Sequence, residues 1–203
     1  MGSGRVSGQV TLRAMAEPLV VVCGNAGTGK TTWARQLARR YRAALLDLDT
    51  VSERLVATAQ AELGRDGSDR DSADYKRVYR DAIHETLFAL TRDCAGPVII
   101  VAPFTRERSS SDFRVWLEEK CGRPAEVHYF VSDERVREAR LRERNHPRDR
   151  AKFVDYAAYR QAAPAESPPA YEHLWFDTTE SFPDPRDVAL VGPTHGSAAD
   201  RDA

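Results

Sequence analysis

Short apolar runs alternate along this chain with longer amphipathic segments. The apolar runs predict five β-strands, at residues 19–23, 43–48, 98–102, 126–131 and, most weakly, 174–176. The amphipathic segments predict helices at residues 30–40, 51–63, 75–94, 111–120 and 134–144, the third with Val78, Ile83, Leu87 and Leu90 on one side. Strands that alternate with helices predict an α/β fold, in which five parallel strands form a sheet with helices on both faces.

The segment after the first predicted strand has the pattern G-x-x-x-x-G-K-[ST] and leads directly into the first helix. Glycines at such a turn allow backbone N–H groups to surround an anion, and the helix N-terminus adds its positive dipole end. We expect Lys30 to reach the β- and γ-phosphates of ATP or a related nucleotide, and the Thr31 hydroxyl to ligate Mg²⁺. The alternative is a glycine-rich turn that binds nothing. The predicted nucleotide site comprises Gly24, Asn25, Ala26, Gly27, Thr28, Gly29, Lys30, Thr31 and Thr32.

Other features narrow the class of nucleotide-binding protein. No N-K-x-D motif follows the loop, which weighs against a GTPase. The third strand leads into Ala-Pro-Phe at residues 102–104, where many ATPases carry an aspartate. The remaining class is the P-loop kinases, in which a substrate hydroxyl replaces water as the nucleophile.

Three stretches then carry a family resemblance. They read GTGKTTWARQLARR at residues 27–40, LLDLDTVSERL at 45–55 and RVREARLRERNHPRDR at 135–150. With their spacing, which covers residues 19–179, they resemble the small P-loop kinases of the polynucleotide-kinase-like and chloramphenicol-phosphotransferase-like group, with zeta-toxin kinases more distant. The resemblance implies the three-layer sandwich of nucleoside and nucleotide kinases, with an arginine-rich helical lid at residues 133–152.

The resemblance also implies that Asp49, at the end of the second strand, is the general base. Attack on the γ-phosphorus requires a hydroxyl that is held and deprotonated, and a carboxylate at the carboxyl edge of the sheet faces the phosphates. Asp47, two residues earlier and on the same side of the strand, is expected to assist the Mg²⁺ shell and is the second candidate for contact with the acceptor. The alternative role for Asp49 is to cap the following helix.

Arginines of the lid are expected to stabilise the charge that phosphoryl transfer concentrates on the transferred oxygens. In the R-L-x-x-R pattern of the group, Arg140 and Arg144 match best, followed by Arg148, with Arg137 and Arg150 behind them. Positions 137, 140 and 144 share one helix face by their spacing. Because 26 of the 30 basic residues are arginines, a solvated surface position is the alternative for each of them.

Two further positions are predicted at the same edge of the sheet. The group packs its adenine near residues 177–179, so Thr178 is a candidate nucleotide contact, with an ordinary strand exit as the alternative. Arg106 follows the third strand, where the acceptor or a phosphate would lie. By contrast, His128 is expected in the core with its ring nitrogens satisfied, and Trp33 is expected to be a packing residue.

Composition bears on the partner. A net charge of −1 argues mildly against a nucleic-acid acceptor, without excluding one. The favoured acceptor is a hydroxylated small molecule, such as an antibiotic or a biosynthetic intermediate. A 5′-polynucleotide or nucleotide kinase is the first alternative, and a non-catalytic ATP-binding regulatory module is the second.

Three further observations concern the setting of the protein. The three cysteines lack C-x-x-C spacing, no apolar run approaches the ~18 residues of a membrane span, and no secretory signal is visible. These features predict a cytoplasmic protein without membrane contact, while the oligomeric state, monomer or homodimer, stays open. Residues 17–191 are predicted as one kinase domain between a flexible leader, residues 1–16, and a flexible tail, residues 192–203.

Overall fold

The computed structural model describes residues 18–70, 72–163 and 166–188. The predicted leader and tail lie outside the described residues, as do both ends of the predicted 17–191 domain. No helix in the described part of the chain is long and apolar enough to cross a membrane.

Five parallel strands form one sheet in the order β2-β3-β1-β4-β5. The strands are β1 (Leu19–Gly24), β2 (Ala44–Asp47), β3 (Val98–Val101), β4 (Ala125–Val131) and β5 (Leu174–Asp177). The helices are α1 (Lys30–Tyr41), α2 (Leu48–Glu62), α3 (Ala73–Asp93), α4 (Phe113–Cys121), α5 (Glu134–Arg144), α6 (Arg150–Val154) and α7 (Tyr156–Ala162). The predicted α/β sandwich with a five-stranded parallel sheet is confirmed.

Successive residues of β1 point to opposite faces of the sheet, and each face has its own apolar core. The core against α3 and α4 contains Leu19, Val21, Cys23, Leu87, Phe88, Phe113 and Leu117. The core against α1 contains Val20, Val22, Trp33, Ala34, Leu37 and Phe130. Since β1 is buried on both faces, its sequence is continuously apolar and does not alternate.

Trp33 and His128 are hydrogen-bonded to each other on the face of the sheet that packs against α1. The Trp33 Nε1–H donates to His128 Nδ1 at 2.9 Å, and His128 Nε2 lies 2.6 Å from Glu126 Oε1. Both rings are fully buried. The predictions of a core histidine with its nitrogens satisfied and of a packing tryptophan are confirmed.

The buried face of α3 differs from the predicted one. Ile83 and Leu87 are buried as expected, but Val78 and Leu90 are largely exposed. The buried positions of α3 are Tyr75, Ile83, His84, Leu87, Phe88 and Thr91. The helix is rotated so that the larger Phe88 ring, which stacks on Phe104, enters the core in place of Leu90.

Candidate active site

The phosphate loop, residues 24–31, connects β1 to α1 at the carboxyl edge of the sheet. Gly24 and Gly27 have φ angles of +134° and +84°, which side chains rarely adopt. A Cβ at Gly24 would lie 2.1 Å from the Phe130 carbonyl oxygen, and a Cβ at Gly27 would lie 2.8 Å from that of Arg137. Both positions therefore require glycine. The loop turns tightly onto the N-terminus of α1, which has no side-chain cap and offers its N–H groups to an anion.

Lys30, the first residue of α1, spans this loop. Its Nζ donates to the Asn25 carbonyl oxygen at 2.5 Å. Burial and the nearby Arg108 guanidinium lower the pKa of Lys30 to about 8. The carboxylates of Asp49 and Glu166 act in the opposite direction, so both lie close enough for their charges to interact with the ammonium group.

Thr31 and Asp47 form the part of the site that suits a magnesium ion. The Thr31 Oγ1–H donates to Asp47 Oδ2 at 3.0 Å, and Asp47 is buried at the end of β2. A hydroxyl and a carboxylate are the hard oxygen ligands that Mg²⁺ prefers. No group of three or more His, Cys, Asp and Glu side chains that could hold a metal ion occurs among the described residues. Mg²⁺ bound at this point could complete its coordination with nucleotide phosphates and water.

The structure corrects the placement of the two aspartates. Strand β2 ends at Asp47, and Asp49 lies in the first turn of α2, not on the strand. The Asp47 Oδ1 accepts the backbone N–H groups of Asp49 and Thr50 at 3.0 and 3.4 Å, so Asp47 is the residue that caps α2. The alternative role proposed for Asp49 as a cap is therefore wrong. Because Asp47 is on β2 and Asp49 is on α2, the expectation that both side chains lie on the same side of one strand does not hold.

Arg148 connects the predicted lid, residues 133–152, to α2 through ion pairs. Its Nη1 lies 3.1 Å from Asp49 Oδ2 and 3.2 Å from Glu53 Oε2. His146 Nε2 is 3.7 Å from the other oxygen of Glu53. The general-base candidate is thus paired with a lid arginine. Glu53 was not predicted, although its four-residue spacing from Asp49 on a helix places both carboxylates on one face.

Two other arginines of the predicted lid, Arg144 and Arg137, also contact protein groups. Asp133 caps α5 as predicted, by accepting the Arg135 N–H at 2.8 Å. Arg144 Nη2 lies 2.6 Å from an oxygen of Asp149, which is almost completely buried. Arg137, a weaker candidate, is buried against the phosphate loop and donates from Nε to the Ala26 carbonyl at 3.2 Å.

Arg140 and Thr178 meet where β5 ends. The guanidinium of Arg140 donates to Thr178 Oγ1 at 2.9 Å and to its carbonyl oxygen at 2.7 Å, and it reaches the Gly27 carbonyl at 3.4 Å. The Thr178 hydroxyl also lies 3.0 Å from the Thr28 carbonyl, and the residue is fully buried. The Thr178 side chain therefore fastens β5 to the phosphate loop, and its backbone N–H donates to the Val131 carbonyl at 3.0 Å.

Arg106 and Arg108, both in the turn after β3, differ in position. Arg106 is largely exposed and pairs with Asp81 and Glu107, and it makes no contact with the phosphate loop among those that the described residues show. Arg108 is buried and donates to the Asn25 side chain. Sequence reasoning selected the first of the two and missed the second, because no local pattern distinguishes them.

The loop, the parallel sheet and the site at its carboxyl edge are the features of a P-loop kinase fold. The chain belongs to the AAA domain family AAA_33, whose model matches residues 19–168. No curated protein matches the sequence. The family confirms the nucleotide-binding class, and it does not distinguish the chloramphenicol-phosphotransferase-like group within that class.

Solved structures with the same fold include three that span most of both chains. A protein from Chloroflexus aurantiacus, provisionally assigned as a kinase, is 18% identical over 87% of this chain and 91% of its own, with a TM-score of 0.55. A sugar kinase from Janibacter sp. is 19% identical over 79% and 85%, with a TM-score of 0.52. The APS kinase from Mycobacterium tuberculosis, solved with AMPPNP and APS, is 16% identical over 82% and 91%, with a TM-score of 0.50. At these identities the likeness concerns the fold.

Proposed function

We propose that this chain is an ATP- and Mg²⁺-dependent phosphotransferase that moves the γ-phosphate to a hydroxyl group of a small molecule. The observation that carries the proposal is the position of Asp49. Its carboxylate lies in the first turn of α2, beside the carboxyl edge that bears the phosphate loop and within electrostatic reach of Lys30. A carboxylate placed there can accept the proton of a hydroxyl that attacks the terminal phosphate.

The binding roles follow from the contacts at the loop. The backbone N–H groups of residues 24–32 and the Lys30 ammonium bind the phosphates. Thr31 and Asp47 would hold Mg²⁺, which would neutralise charge on the phosphate oxygens. Arg140 and the backbone around Thr178 border the nucleotide on the β5 side. Arg106 is left out of this assignment because its ion pairs direct it to α3.

The reaction requires a group that accepts the proton of the attacking hydroxyl and a leaving group on the γ-phosphorus. The acceptor oxygen forms a bond to the γ-phosphorus, the bond between that phosphorus and the β–γ bridging oxygen breaks, and ADP leaves. The hydroxyl proton passes to the Asp49 carboxylate. Before this step Asp49 must exchange Arg148 for the hydroxyl, and the released guanidinium, with that of Arg144, can then turn to the transferred phosphate.

The charges near the site favour a small acceptor over a nucleic acid. Arginines on α3, after β3 and on the predicted lid are already paired with carboxylates: Arg80 with Glu107, Arg106 with Asp81 and Glu107, and Arg148 with Asp49 and Glu53. A polynucleotide would need unpaired cations along a groove. The similar folds named as a sugar kinase and an APS kinase act on small molecules, which supports the same choice. An antibiotic or a biosynthetic intermediate fits this description.

An ADP-release assay against a panel of acceptors tests the proposal. The panel contains neutral sugars, amino sugars, carboxylated polyols and 5′-hydroxyl oligonucleotides, each with and without EDTA. We expect stimulation by one small-molecule class, complete loss with EDTA, and loss in Asp49→Asn but not in Asp74→Asn, a matched change on the exposed face of α3. Stimulation by the oligonucleotide alone would favour the polynucleotide-kinase alternative. Tight ATP binding without stimulation by any acceptor would favour the regulatory module.

A further inference from the structure

Arg108 is a buried cation for which the proposed reaction has no role. Its side chain is 1% exposed, and its guanidinium lies 5.3 Å from the centre of the Tyr129 ring. Nη2 donates to Asn25 Oδ1 at 2.5 Å, and Nη1 donates to the Pro103 carbonyl at 2.9 Å. No carboxylate of the described residues lies within 4 Å of it, unlike the paired arginines of the lid. Burying a charge without a counterion is unfavourable, so the two hydrogen bonds must be well formed for the site to be stable.

The contact with Asn25 leads directly to the phosphate loop. Asn25 is the second residue of the loop, and its carbonyl oxygen accepts hydrogen bonds from Lys30 Nζ at 2.5 Å and from the Thr28 hydroxyl at 3.0 Å. Asn25 is thus held by two sets of hydrogen bonds: its side chain bonds to Arg108, and its carbonyl oxygen bonds to Lys30 and Thr28. Arg108 fixes the side chain, which limits the rotation of the peptide that holds the ammonium group.

Arg108 is itself held firmly by its surroundings. Its backbone N–H donates to the Phe104 carbonyl at 2.9 Å, and its carbonyl accepts the Tyr171 hydroxyl at 3.0 Å. Phe104 and Tyr171 both belong to the core that surrounds Phe113. The position of the guanidinium is therefore set by the packed interior and not by a mobile surface loop.

We propose that Arg108 is a positioning residue for nucleotide binding, which holds Asn25 so that the Asn25 carbonyl places Lys30 for the phosphates. The inference rests on the proposed function only in that the loop binds Mg·ATP. It assigns no contact between Arg108 and the nucleotide. The network runs from the core through Arg108 and Asn25 to Lys30, and it connects residues 83 positions apart in the sequence.

Direct binding of Mg·ATP and Mg·ADP, measured by calorimetry without acceptor, tests this network in a double-mutant cycle. We expect Arg108→Met and Asn25→Ala each to weaken the affinity for Mg·ATP by roughly 10-fold or more, the usual size for a lost charge-assisted hydrogen bond. The double variant should lose no more than the weaker-binding single variant, because both break one network. Arg114→Met removes an arginine from α4, on the surface, and should bind like the wild type.

Two results would overturn the inference. One is wild-type affinity in folded Arg108→Met that melts at a lower temperature, since a purely structural arginine would behave in this way. The other is a pair of losses that add in the double variant. Should Arg108→Met fail to fold, Arg108→Lys replaces it: the lysine keeps the charge but cannot reach both oxygens, so intermediate affinity is expected and full affinity contradicts the proposal. If the variants bind Mg·ATP as expected here but the wild type phosphorylates no acceptor, only the proposed function is contradicted, and the positioning role of Arg108 stands.

Discussion

The phosphate loop and the arginine-rich segment proposed as a lid, residues 133–152, are stabilised in different ways. The loop is shaped by backbone conformation, and Gly27 fits only because no side chain comes between it and Arg137. The lid arginines hold their positions through carboxylates: Arg144 pairs with Asp149, and Arg148 pairs with Asp49 and Glu53. The shape of the loop is therefore set by its backbone, whereas an arginine of the proposed lid would have to exchange protein carboxylates for phosphate oxygens.

This difference predicts how the two regions respond to substitution. A change in the loop removes a contact that exists in every state, so binding and transfer should fall together. A change in the lid alters a competition between protein carboxylates and phosphate oxygens, so the turnover number should respond more than ATP affinity. Substitutions in the two regions therefore distinguish a preformed contact from one that must exchange partners.

Lys30→Ala should abolish transfer, a fall of roughly 10⁴-fold or more, because it removes the charge that the loop presents to the phosphates. The fold should remain intact, since the ammonium group binds a backbone carbonyl and does not pack in the core. Steady-state transfer and melting temperature on the same preparation measure both effects. Lys76→Ala, on the exposed side of α3, serves as the matched control. Turnover above a tenth of the wild-type rate in Lys30→Ala would make the phosphate-loop assignment wrong.

Asp49→Asn keeps the size of the side chain but cannot accept the acceptor's proton. Transfer should fall by roughly 10²–10⁴-fold, the usual contribution of a positioned base, with Mg·ATP affinity close to that of the wild type. Stability should change little, because Asp47 and not Asp49 caps α2. Single-turnover transfer and melting temperature separate the two effects. A variant that transfers phosphate normally would move the base to another carboxylate, with Asp47 beside Thr31 as the first candidate.

The loop could be predicted from the sequence and the lid contacts could not, for a physical reason. The loop depends on local backbone angles, and its glycines, its lysine and the strand and helix on either side all lie within a short segment. The partners of Arg148 and Arg108 lie far away in the sequence, and only packing determines which of many arginines meets which carboxylate. Asp49 was misplaced for a local reason: the Asp47 side chain caps α2, so the strand ends at Asp47 and Asp49 lies in the helix.

Arg144→Ala should lower kcat by roughly 10²-fold, with a smaller change in ATP affinity, because its guanidinium leaves Asp149 only when phosphate oxygens develop charge. Arg142→Ala is the control: Arg142 lies on the same helix but is exposed and pairs with Glu138. Burst kinetics with Mg·ATP and the identified acceptor give both constants. If kcat is unchanged in Arg144→Ala, Arg144 serves the structure of the lid alone, and the exchange of partners does not include it.

Glu53→Gln should have the smallest effect on transfer, and it should raise kcat where the preceding variants lower it. Glu53 is one of two carboxylates that pair with Arg148. Because the Glu53–Arg148 ion pair is partly exposed, the loss of this pair should lower the free energy of unfolding by about 1 kcal/mol or less. The same weakening frees Arg148 for the phosphate, so kcat should rise, by up to about 5-fold if the whole of that energy opposes the exchange. Chemical denaturation and single-turnover transfer measure the two changes, and Glu62→Gln, an exposed position at the end of the same helix, controls for charge. A lower kcat would show that Glu53 orients Arg148 for transfer, and the lid would then be preformed in the same sense as the loop.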